Sequence, residues 1–332
     1  MSSNKKKILL LGEIEHAHSE WSSLGDIAEI IVPTACDRAE FIQESKSGAF
    51  DGVFGAYRTF LSEAITGRID EELVSTLPKS LKFLCHNGAG YDQIDPEACT
   101  RHDIRVSNIQ TAVDDATADV NIFLIIGALR NFNQGMVQLR EGNWLEGVPM
   151  GHDPEGKTLG ILGLGGIGRA LKKRTDAFDM KVIYHNRTRL SPVLENGAEY
   201  VSFDDLLSRS DVISLNLPLN SATRHIISTK EFSKMKDGVV IVNTARGAVM
   251  DEDALVQALA SGKVRSCGLD VFEDEPKVHP GLLSNPRVML IPHMGTHCHE
   301  TRTAMECWTI DNLRSAITTG KLKSPIPEQA GM

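Results

Sequence analysis

The 332-residue chain has little of what marks membrane, secreted or nucleic-acid-binding proteins. Its apolar runs Ile8–Leu11 and Ile122–Ile126 are too short for a signal peptide or a membrane helix. Its net charge of −9 argues against sequence-independent binding to nucleic acid, which needs a basic face for the phosphates. The six cysteines contain no C-x-x-C pair, so we expect reduced thiols in a cytoplasmic protein rather than a disulfide framework.

A glycine cluster is the strongest motif that is present. Gly163, Gly165 and Gly168 fill the pattern G-x-G-x-x-G, and Gly166 and Ile167 lie inside it. A short apolar run precedes the cluster, a helix-forming stretch follows at 169–178, and a second strand is predicted at 181–185. In this strand–turn–helix–strand frame the motif predicts a dinucleotide site, with the pyrophosphate at the positive end of the helix.

The residues after the second predicted strand indicate which dinucleotide is bound. NAD sites usually place an acid about twenty residues beyond the glycines, where it binds the ribose hydroxyls. Here the sequence is Asn186, Arg187, Thr188 and Arg189, without an acid. Guanidinium groups suit a 2′-phosphate, so NADPH is favoured over NADH. The alternative is a basic surface turn.

Short apolar runs alternate with helix-compatible stretches along most of the chain. This alternation predicts the α/β class, with two doubly wound parallel-sheet domains. A long helix is predicted at 117–130 and is expected to bridge the two domains. The loop-like stretch 141–156 separates it from the glycine motif.

In the first domain the candidate site is the turn 86–92, which follows a predicted strand. Ligands bind beyond the carboxyl ends of strands in such sheets, and the backbone N–H groups of a glycine-rich turn suit a small carboxylate. The alternative is an ordinary strand-to-helix turn. Tyr57 and Arg58 also follow a strand and could face the same site, although ordinary packing is favoured for them.

Three further strand ends in the second domain carry charged groups, in the stretches 243–247, 269–276 and 291–296. Arg246 could bind a substrate carboxylate, and His293 could donate a proton to a carbonyl oxygen. A carboxylate bonded to the other imidazole nitrogen would favour the protonated form. The residues alone do not distinguish Glu273, Asp274 and Glu275 for this role. Together these groups suit the reduction of a 2-oxo acid.

By these motifs and their order the chain resembles the D-isomer-specific 2-hydroxyacid dehydrogenases, which include glyoxylate/hydroxypyruvate reductases, phosphoglycerate dehydrogenase and formate dehydrogenase. The likeness is firmest from about Gly88 to Thr303. It implies a Rossmann cofactor domain at 110–298, inserted into a flavodoxin-like substrate domain formed by 1–109 and 299–332. A homodimer built through the cofactor domains is also implied.

The resemblance assigns roles to residues at the matching positions. It makes Arg246 the substrate arginine, His293 the acid/base and Glu275, through its pairing with Pro276, the partner of the histidine. Ala89 and Gly90 match the loop that binds the substrate carboxylate. Besides the glycine motif, residues 186–189, Arg246 and His293, the cofactor-binding positions are Leu217, Pro218, Thr244, Ala245, Asp270, Gly295 and Thr296.

The expected function is therefore NADPH-dependent reduction of a small 2-oxo acid to the D-2-hydroxy acid. Glyoxylate, hydroxypyruvate and sugar-derived 2-keto acids are the candidate substrates, and bulkier 2-oxo acids stay open. The alternative is a dinucleotide-sensing binding protein, because the resembled family also includes corepressors. His297, Cys298 and His299 offer soft ligands, but neighbours at a helix start point in different directions, so no metal is expected.

Overall fold

The structure is a computed structural model that describes residues 5–332. The strands within these residues are β1 Lys6–Leu11, β2 Ala28–Ile31, β3 Val53–Thr59, β4 Phe83–Asn87, β5 Arg105–Ser107, β6 Thr158–Leu162, β7 Lys181–His185, β8 Glu199–Tyr200, β9 Val212–Leu215, β10 Val239–Asn243, β11 Val264–Leu269 and β12 Val288–Leu290. The α-helices are α1 His18–Ser22, α2 Arg38–Lys46, α3 Glu63–Thr66, α4 Glu71–Val74, α5 Pro96–Arg101, α6 Asp114–Leu129, α7 Phe132–Arg140, α8 Gly166–Thr175, α9 Pro192–Glu195, α10 Phe203–Arg209, α11 Thr229–Lys234, α12 Glu252–Ala260, α13 Pro280–Leu283 and α14 His299–Thr319.

The described chain divides into two compact units. The first comprises the residues up to Ala112 together with Cys298–Met332. Its five-stranded sheet is parallel throughout and has the order β2-β1-β3-β4-β5, which is the flavodoxin-like order. The long helix α14 returns to this unit and contacts β3 and β4.

The second unit comprises Val113–His297 and contains a seven-stranded parallel sheet of order β12-β11-β10-β9-β6-β7-β8. The order reverses on either side of β6, as it does in a Rossmann fold. Ligands of such sheets bind where the order reverses, at the carboxyl ends of the strands. The glycine motif follows β6 and therefore lies at this position.

The central strand β10 illustrates how the sequence builds this sheet. Its Val-rich sequence is buried along its whole length, as expected for a parallel strand covered on both faces. Side chains alternate between the faces. Val239 and Ile241 join the apolar cluster that includes α12, whereas Val240 and Val242 join the cluster that includes α6.

The predicted α/β class with two parallel sheets is confirmed, and the short run at Glu199 supplies the seventh strand. The helix predicted at 117–130 begins earlier, at Asp114, and it belongs entirely to the second unit rather than bridging two domains. Helix α7 (Phe132–Arg140) was not predicted, because its nine residues include an Asn, two Gln and a Gly and it directly precedes a loop. Within residues 5–332, no helix is both long and apolar enough to cross a membrane.

Candidate active site

The glycine turn after β6 has the backbone geometry that its glycines are needed for. Gly163 has a φ of +101°, and a Cβ there would lie 2.6 Å from the carbonyl oxygen of Asn216. A Cβ on Gly168 would overlap the carbonyl oxygen of Gly163, so this glycine lets α8 pack against the strand end. The two positions explain why the turn can be this tight.

The start of α8 leaves room for a ligand. A Cβ built on Gly165 meets no atom within 4 Å, so the backbone is open on that side. Among the described residues, no hydrogen bond is donated by the N–H groups of Gly165, Gly166 or Ile167. Unpaired N–H groups at the positive end of a ten-residue helix suit a pyrophosphate. The residues present therefore fit a dinucleotide.

The turn 186–189 lies next to this helix start. The Asn186 Oδ1 accepts a 2.7 Å hydrogen bond from the Leu164 N–H, which ties the turn after β7 to the glycine turn. Because its oxygen is used in this way, Asn186 presents its amide N–H groups as donors. Arg187 and Thr188 are exposed, and among residues 5–332 no ion-pair partner of Arg187 is present.

Arg189 has a different environment from Arg187, because its guanidinium forms a two-pronged ion pair with Glu195. Nε lies 2.8 Å from Oε1 and NH2 lies 3.2 Å from Oε2. The buried hydroxyl of Tyr184 donates to the same carboxylate at 2.7 Å. Bonds from Arg189 and Tyr184 lower the pKa of Glu195, in opposition to the effect of its burial. Sequence reasoning missed Glu195, since it lies several residues beyond the turn.

Arg246 follows β10 in a turn that a buried asparagine holds. The Asn243 Oδ1 accepts from the Ala245 N–H at 3.0 Å, and its Nδ2 donates to the Arg246 carbonyl oxygen at 2.9 Å. The Arg246 guanidinium donates to the Ala245 carbonyl oxygen at 2.8 Å. Gly247 then allows close approach, since a Cβ there would overlap the backbone of Phe272 and Glu273.

His293 and Glu275 are paired at the neighbouring strand ends. The His293 Nδ1 lies 2.8 Å from the Glu275 Oε2, and the other carboxylate oxygen accepts from the Phe272 N–H at 2.9 Å. Burial acts to raise the pKa of Glu275, but the hydrogen bond and charge of His293, with the charge of Arg246, bring it below its usual value. Of the three acids that the sequence left open, Glu275 is therefore the one bonded to His293. Glu273 instead pairs with Arg224 and His225.

Asp270 is buried under the turn that carries His293. It accepts hydrogen bonds from the N–H groups of Met294 and Gly295, and its backbone oxygen accepts from the His293 N–H at 2.8 Å. Burial raises the pKa of Asp270 despite these bonds. His293 itself has a φ of +51°, a left-handed conformation that non-glycine residues rarely adopt. Such backbone strain persists where surrounding bonds fix the conformation, as the Asp270 bonds do here.

The remaining predicted cofactor positions lie at the same edge of the sheet. Leu217 and Pro218 follow β9, Thr244 is buried directly after β10, and Thr296 follows Gly295. No contact of theirs tests a role in cofactor binding, so these assignments stay predictions.

A buried polar cluster beneath this edge was not foreseen. Asn121, on the apolar helix α6, donates at 2.9 Å both to the Ser214 Oγ and to the Thr244 Oγ1. The Asn216 amide also donates to the Ser214 Oγ, at 2.9 Å. The cluster fixes the Thr244 hydroxyl from below. A single amide next to the apolar run 122–126 was the only signal in the sequence.

In the first unit, the loop after β4 has bonded carbonyls and two backbone N–H groups without a bond in the described residues. The Ala89 carbonyl oxygen accepts from the Asn108 Nδ2 at 2.7 Å, and the Gly90 carbonyl oxygen lies 3.0 Å from the His86 Nε2. Among the described residues, the N–H groups of Ala89 and Gly90 donate no hydrogen bond. The loop thus directs its carbonyls into the unit and leaves two backbone donors available.

Residues 5–332 contain no group of three or more His, Cys, Asp or Glu side chains placed to hold a metal ion. The second unit carries one acid–imidazole pair, one arginine and a glycine turn at a helix start, and the first unit carries a loop with two available backbone donors.

Comparison with known proteins agrees with this arrangement. Residues 122–295 match the family model of the D-isomer specific 2-hydroxyacid dehydrogenase, NAD binding domain. A 4-methyl-2-oxopentanoate reductase A of Aspergillus oryzae is 56% identical over 97% of this chain and 98% of its own length. Glyoxylate reductase 1 of Saccharomyces cerevisiae is 49% identical over 98% of this chain and 96% of its own. The crystal structure of a glyoxylate reductase from Paecilomyes thermophila superimposes with a TM-score of 0.97 at 55% identity, covering 98% of this chain and 99% of that one.

The Rossmann sheet, its glycine turn and the acid–imidazole pair define a dinucleotide-dependent oxidoreductase. More specifically, the chain belongs to the D-isomer specific 2-hydroxyacid dehydrogenase family. It is an enzyme that uses a nicotinamide dinucleotide and belongs with reductases of small 2-oxo acids.

Proposed function

We propose that this enzyme uses NADPH to reduce a small 2-oxo acid to the D-2-hydroxy acid. The observation that carries the proposal is the 2.8 Å contact between the His293 Nδ1 and Glu275, beside Arg246 and the glycine turn. It directs the second imidazole nitrogen, Nε2, away from the carboxylate, where it can serve a substrate. The second unit is accordingly proposed as the cofactor domain and the first as the substrate domain.

Each residue has a defined task in this proposal. Bound NADPH supplies the hydride for the C2 carbonyl carbon. The Arg246 guanidinium binds the substrate carboxylate and polarises the adjacent carbonyl, for which a planar fork of donors is well suited. The Nε2 of the His293 imidazolium gives its proton to the carbonyl oxygen, while Glu275 stabilises the charged ring and fixes its tautomer.

The substrate carboxylate would also accept hydrogen bonds from the N–H groups of Ala89 and Gly90. These donors have no partner among the described residues, and the carbonyls of the same loop are held by other groups. A preorganised pair of donors of this kind binds an anion without paying to reorganise the backbone.

Glyoxylate and hydroxypyruvate are the proposed substrates, and a branched acid is the main competitor. One relative is named for glyoxylate and another, at similar identity, for 4-methyl-2-oxopentanoate. The test is a panel running from glyoxylate to branched and sugar-derived 2-keto acids, with NADPH and NADH. Lack of turnover with every acid would refute the proposal and favour a dinucleotide-binding protein without this reaction.

The role of His293 is tested by His293→Ala. The rate of reduction should fall by roughly 10²–10⁴, as for other positioned acids and bases. His279→Ala is a matched control, because this histidine pairs with Asp253 near the surface. Near-normal turnover of His293→Ala would exclude it as the proton donor.

We also propose that the enzyme is a homodimer formed through the second unit. Large apolar side chains are concentrated on the exposed surface of 123–150, among them Phe132, Leu139, Trp144 and Leu145. Trp144 and Leu145 are 71% and 63% exposed. Several large apolar side chains left exposed within one segment are typical of an interface.

The dimer is tested by light scattering of the purified enzyme. The variant Leu139→Glu/Trp144→Glu should shift the mass from two chains to one, because charges would be buried in the interface. Leu61→Glu is the control, since Leu61 is equally exposed but lies in the first unit. A wild-type mass of one chain at micromolar concentration would contradict the proposal.

A further inference from the structure

The loop proposed to bind the substrate carboxylate is held by a bond to each of its three carbonyls. The Gly88 oxygen accepts from the Ile109 N–H at 3.0 Å, and the Ala89 oxygen accepts from Asn108. The Gly90 oxygen is held by His86, whose Nε2 lies 3.0 Å away. The donors from Ile109 and Asn108 lie just beyond the neighbouring strand β5. The donor to Gly90 is the His86 imidazole, in which either ring nitrogen can carry the proton.

Arg58 lies behind that histidine and has no exposed surface. Its NH1 lies 3.1 Å from the His86 Nδ1, and its NH2 donates to the Gln93 Oε1 at 2.7 Å. Gln93 in turn donates to the carboxylate of Glu63. Burial lowers the pKa of Arg58 to about 10, while the charges of Glu63 and Asp92 act in the opposite direction. The guanidinium therefore stays charged at neutral pH.

These contacts fix the state of the imidazole. A guanidinium nitrogen can only donate, so the His86 Nδ1 must accept and carries no proton. A carbonyl oxygen can only accept, so the Nε2 must carry the proton that it donates to Gly90. A doubly protonated ring would place an N–H against the guanidinium and add a second positive charge beside it. His86 is thus held as the neutral Nε2–H tautomer.

We propose that Arg58 and His86 are positioning residues for the substrate carboxylate, because together they set the conformation of the Gly88–Gly90 loop. Arg58 selects the tautomer, His86 holds the Gly90 carbonyl inward, and the Ala89 and Gly90 N–H groups then point their donors toward the substrate. This inference rests on the proposed role of the loop. It deepens that role by naming the groups that act through it.

The packing of the loop agrees with this arrangement. A Cβ on Gly88 would lie 2.5 Å from the His86 Nε2, so the imidazole is folded directly beneath the loop. The Nε of Arg58 is also buried and has no hydrogen-bond partner in the described structure. This arginine leaves one buried donor unpaired while two of its nitrogens bond His86 and Gln93, which suits a requirement for the two-pronged fork rather than for charge alone.

The kinetic test compares Arg58→Met and Arg58→Lys with wild type. Arg58→Met should raise KM for the 2-oxo acid about tenfold, with a smaller change in kcat, because loss of the buried hydrogen bonds to His86 and Gln93 loosens the loop. Arg58→Lys should behave similarly, since one ammonium cannot reach His86 and Gln93 together. The Kd for NADPH should be unchanged, because its proposed contacts all lie in the second unit. An unchanged KM in either variant would overturn the proposal.

Three further variants distinguish the positioning role of Arg58 from a purely structural role. Phe41→Leu destabilises the core of the same unit, where Phe41 packs on Phe50, and should lower the melting temperature without changing KM. His86→Leu should raise KM as Arg58→Met does, whereas His86→Gln keeps a donor toward Gly90 and should restore much of the affinity. If Phe41→Leu raises KM equally, the effect comes from stability alone and the proposal fails.

A test that does not depend on turnover is the protonation state of His86. Nitrogen NMR of histidine-labelled protein, assigned with His86→Gln, should show the neutral Nε2–H form at pH 7 and its loss in Arg58→Met. A doubly protonated ring or the Nδ1–H form in wild type would refute the inference. If no 2-oxo acid is reduced, the proposed function fails, and the NMR result still decides whether Arg58 sets the tautomer.

Discussion

Arg187 and Arg189 flank the same turn, yet the structure predicts that they differ in their effect on cofactor choice. The Arg189 guanidinium is occupied by both oxygens of Glu195, at 2.8 and 3.2 Å. Arg187 is exposed and is the arginine available for a 2′-phosphate. We therefore expect Arg187→Ala to weaken NADPH binding selectively, and Arg189→Ala to act mainly on the stability of the turn.

The expected loss of NADPH binding in Arg187→Ala follows from the removal of one charged hydrogen bond. Bonds to charged groups contribute about 1.5–3 kcal/mol, and exposure to water places Arg187 toward the lower end of that range. A loss of about 1–2 kcal/mol corresponds to roughly a 5- to 30-fold rise in KM for NADPH. Arg187→Asp should have a larger effect, because a carboxylate would repel the phosphate and could accept from the ribose hydroxyls of NADH.

The assay measures KM and kcat for NADPH and NADH at a saturating level of the same 2-oxo acid. Inhibition by 2′-phosphoadenosine gives an independent value, since this compound lacks the nicotinamide. Arg189→Ala serves as the matched control for loss of a positive charge. Equal changes in KM for NADPH and NADH in Arg187→Ala would refute the assignment of this turn to the 2′-phosphate.

Three further predictions concern charged groups that the structure places in defined environments. Glu275→Gln should lower kcat for reduction by up to roughly 10²–10⁴, because the imidazole of His293 loses the carboxylate that orients its ring; an unchanged kcat would contradict the pairing. Burial raises the pKa of Asp114 to about 6, so the folded state loses stability as pH rises from about 4 to about 6. Asp114→Asn should therefore raise the melting temperature at pH 7.5 and raise it much less at pH 4.5. Equal shifts of the melting temperature at the two pH values would refute this prediction. Glu306→Gln should lower the free energy of unfolding, measured in urea, by about 2 kcal/mol. The Glu306 carboxylate accepts hydrogen bonds from the N–H groups of three consecutive residues near α1, whereas an amide has only one acceptor oxygen. An unchanged free energy of unfolding would mean that these bonds contribute little.

Much of the fold could be predicted because strand alternation and the glycine motif are local patterns. Four of the five residues of Val239–Asn243 are apolar and β-branched, as expected for a buried strand. Lys181–His185 follows the glycine turn at the expected interval, so this strand was placed with its observed bounds. The edge at which Arg246 and His293 gather also follows from local sequence, since each residue comes directly after a parallel strand. Strand ends that share one edge bring distant residues together.

What the sequence could not supply is the partner of each side chain. Glu195 and Arg189 are paired through the turn of α9, and Asn121 meets Thr244 across more than a hundred residues. These contacts depend on the direction of each side chain in the folded sheet, and spacing along the chain does not predict that direction. Arg58 illustrates the consequence: its position after a run of strand residues suggested ordinary packing, but its function is decided by what its two nitrogens reach.

Two histidines, one in each unit, make the same point in terms of protonation. His86 lies between a group that can only donate and a group that can only accept, which holds it neutral in one tautomer. The His293 Nδ1 lies against the Glu275 carboxylate, which orients the ring for the proposed proton donation. Exchanging the partners would exchange the roles, because the side chains are chemically identical. The proposed ability to act as an acid therefore belongs to the Glu275–His293 pair, and the proposed ability to hold a loop rigid belongs to the Arg58–His86 pair.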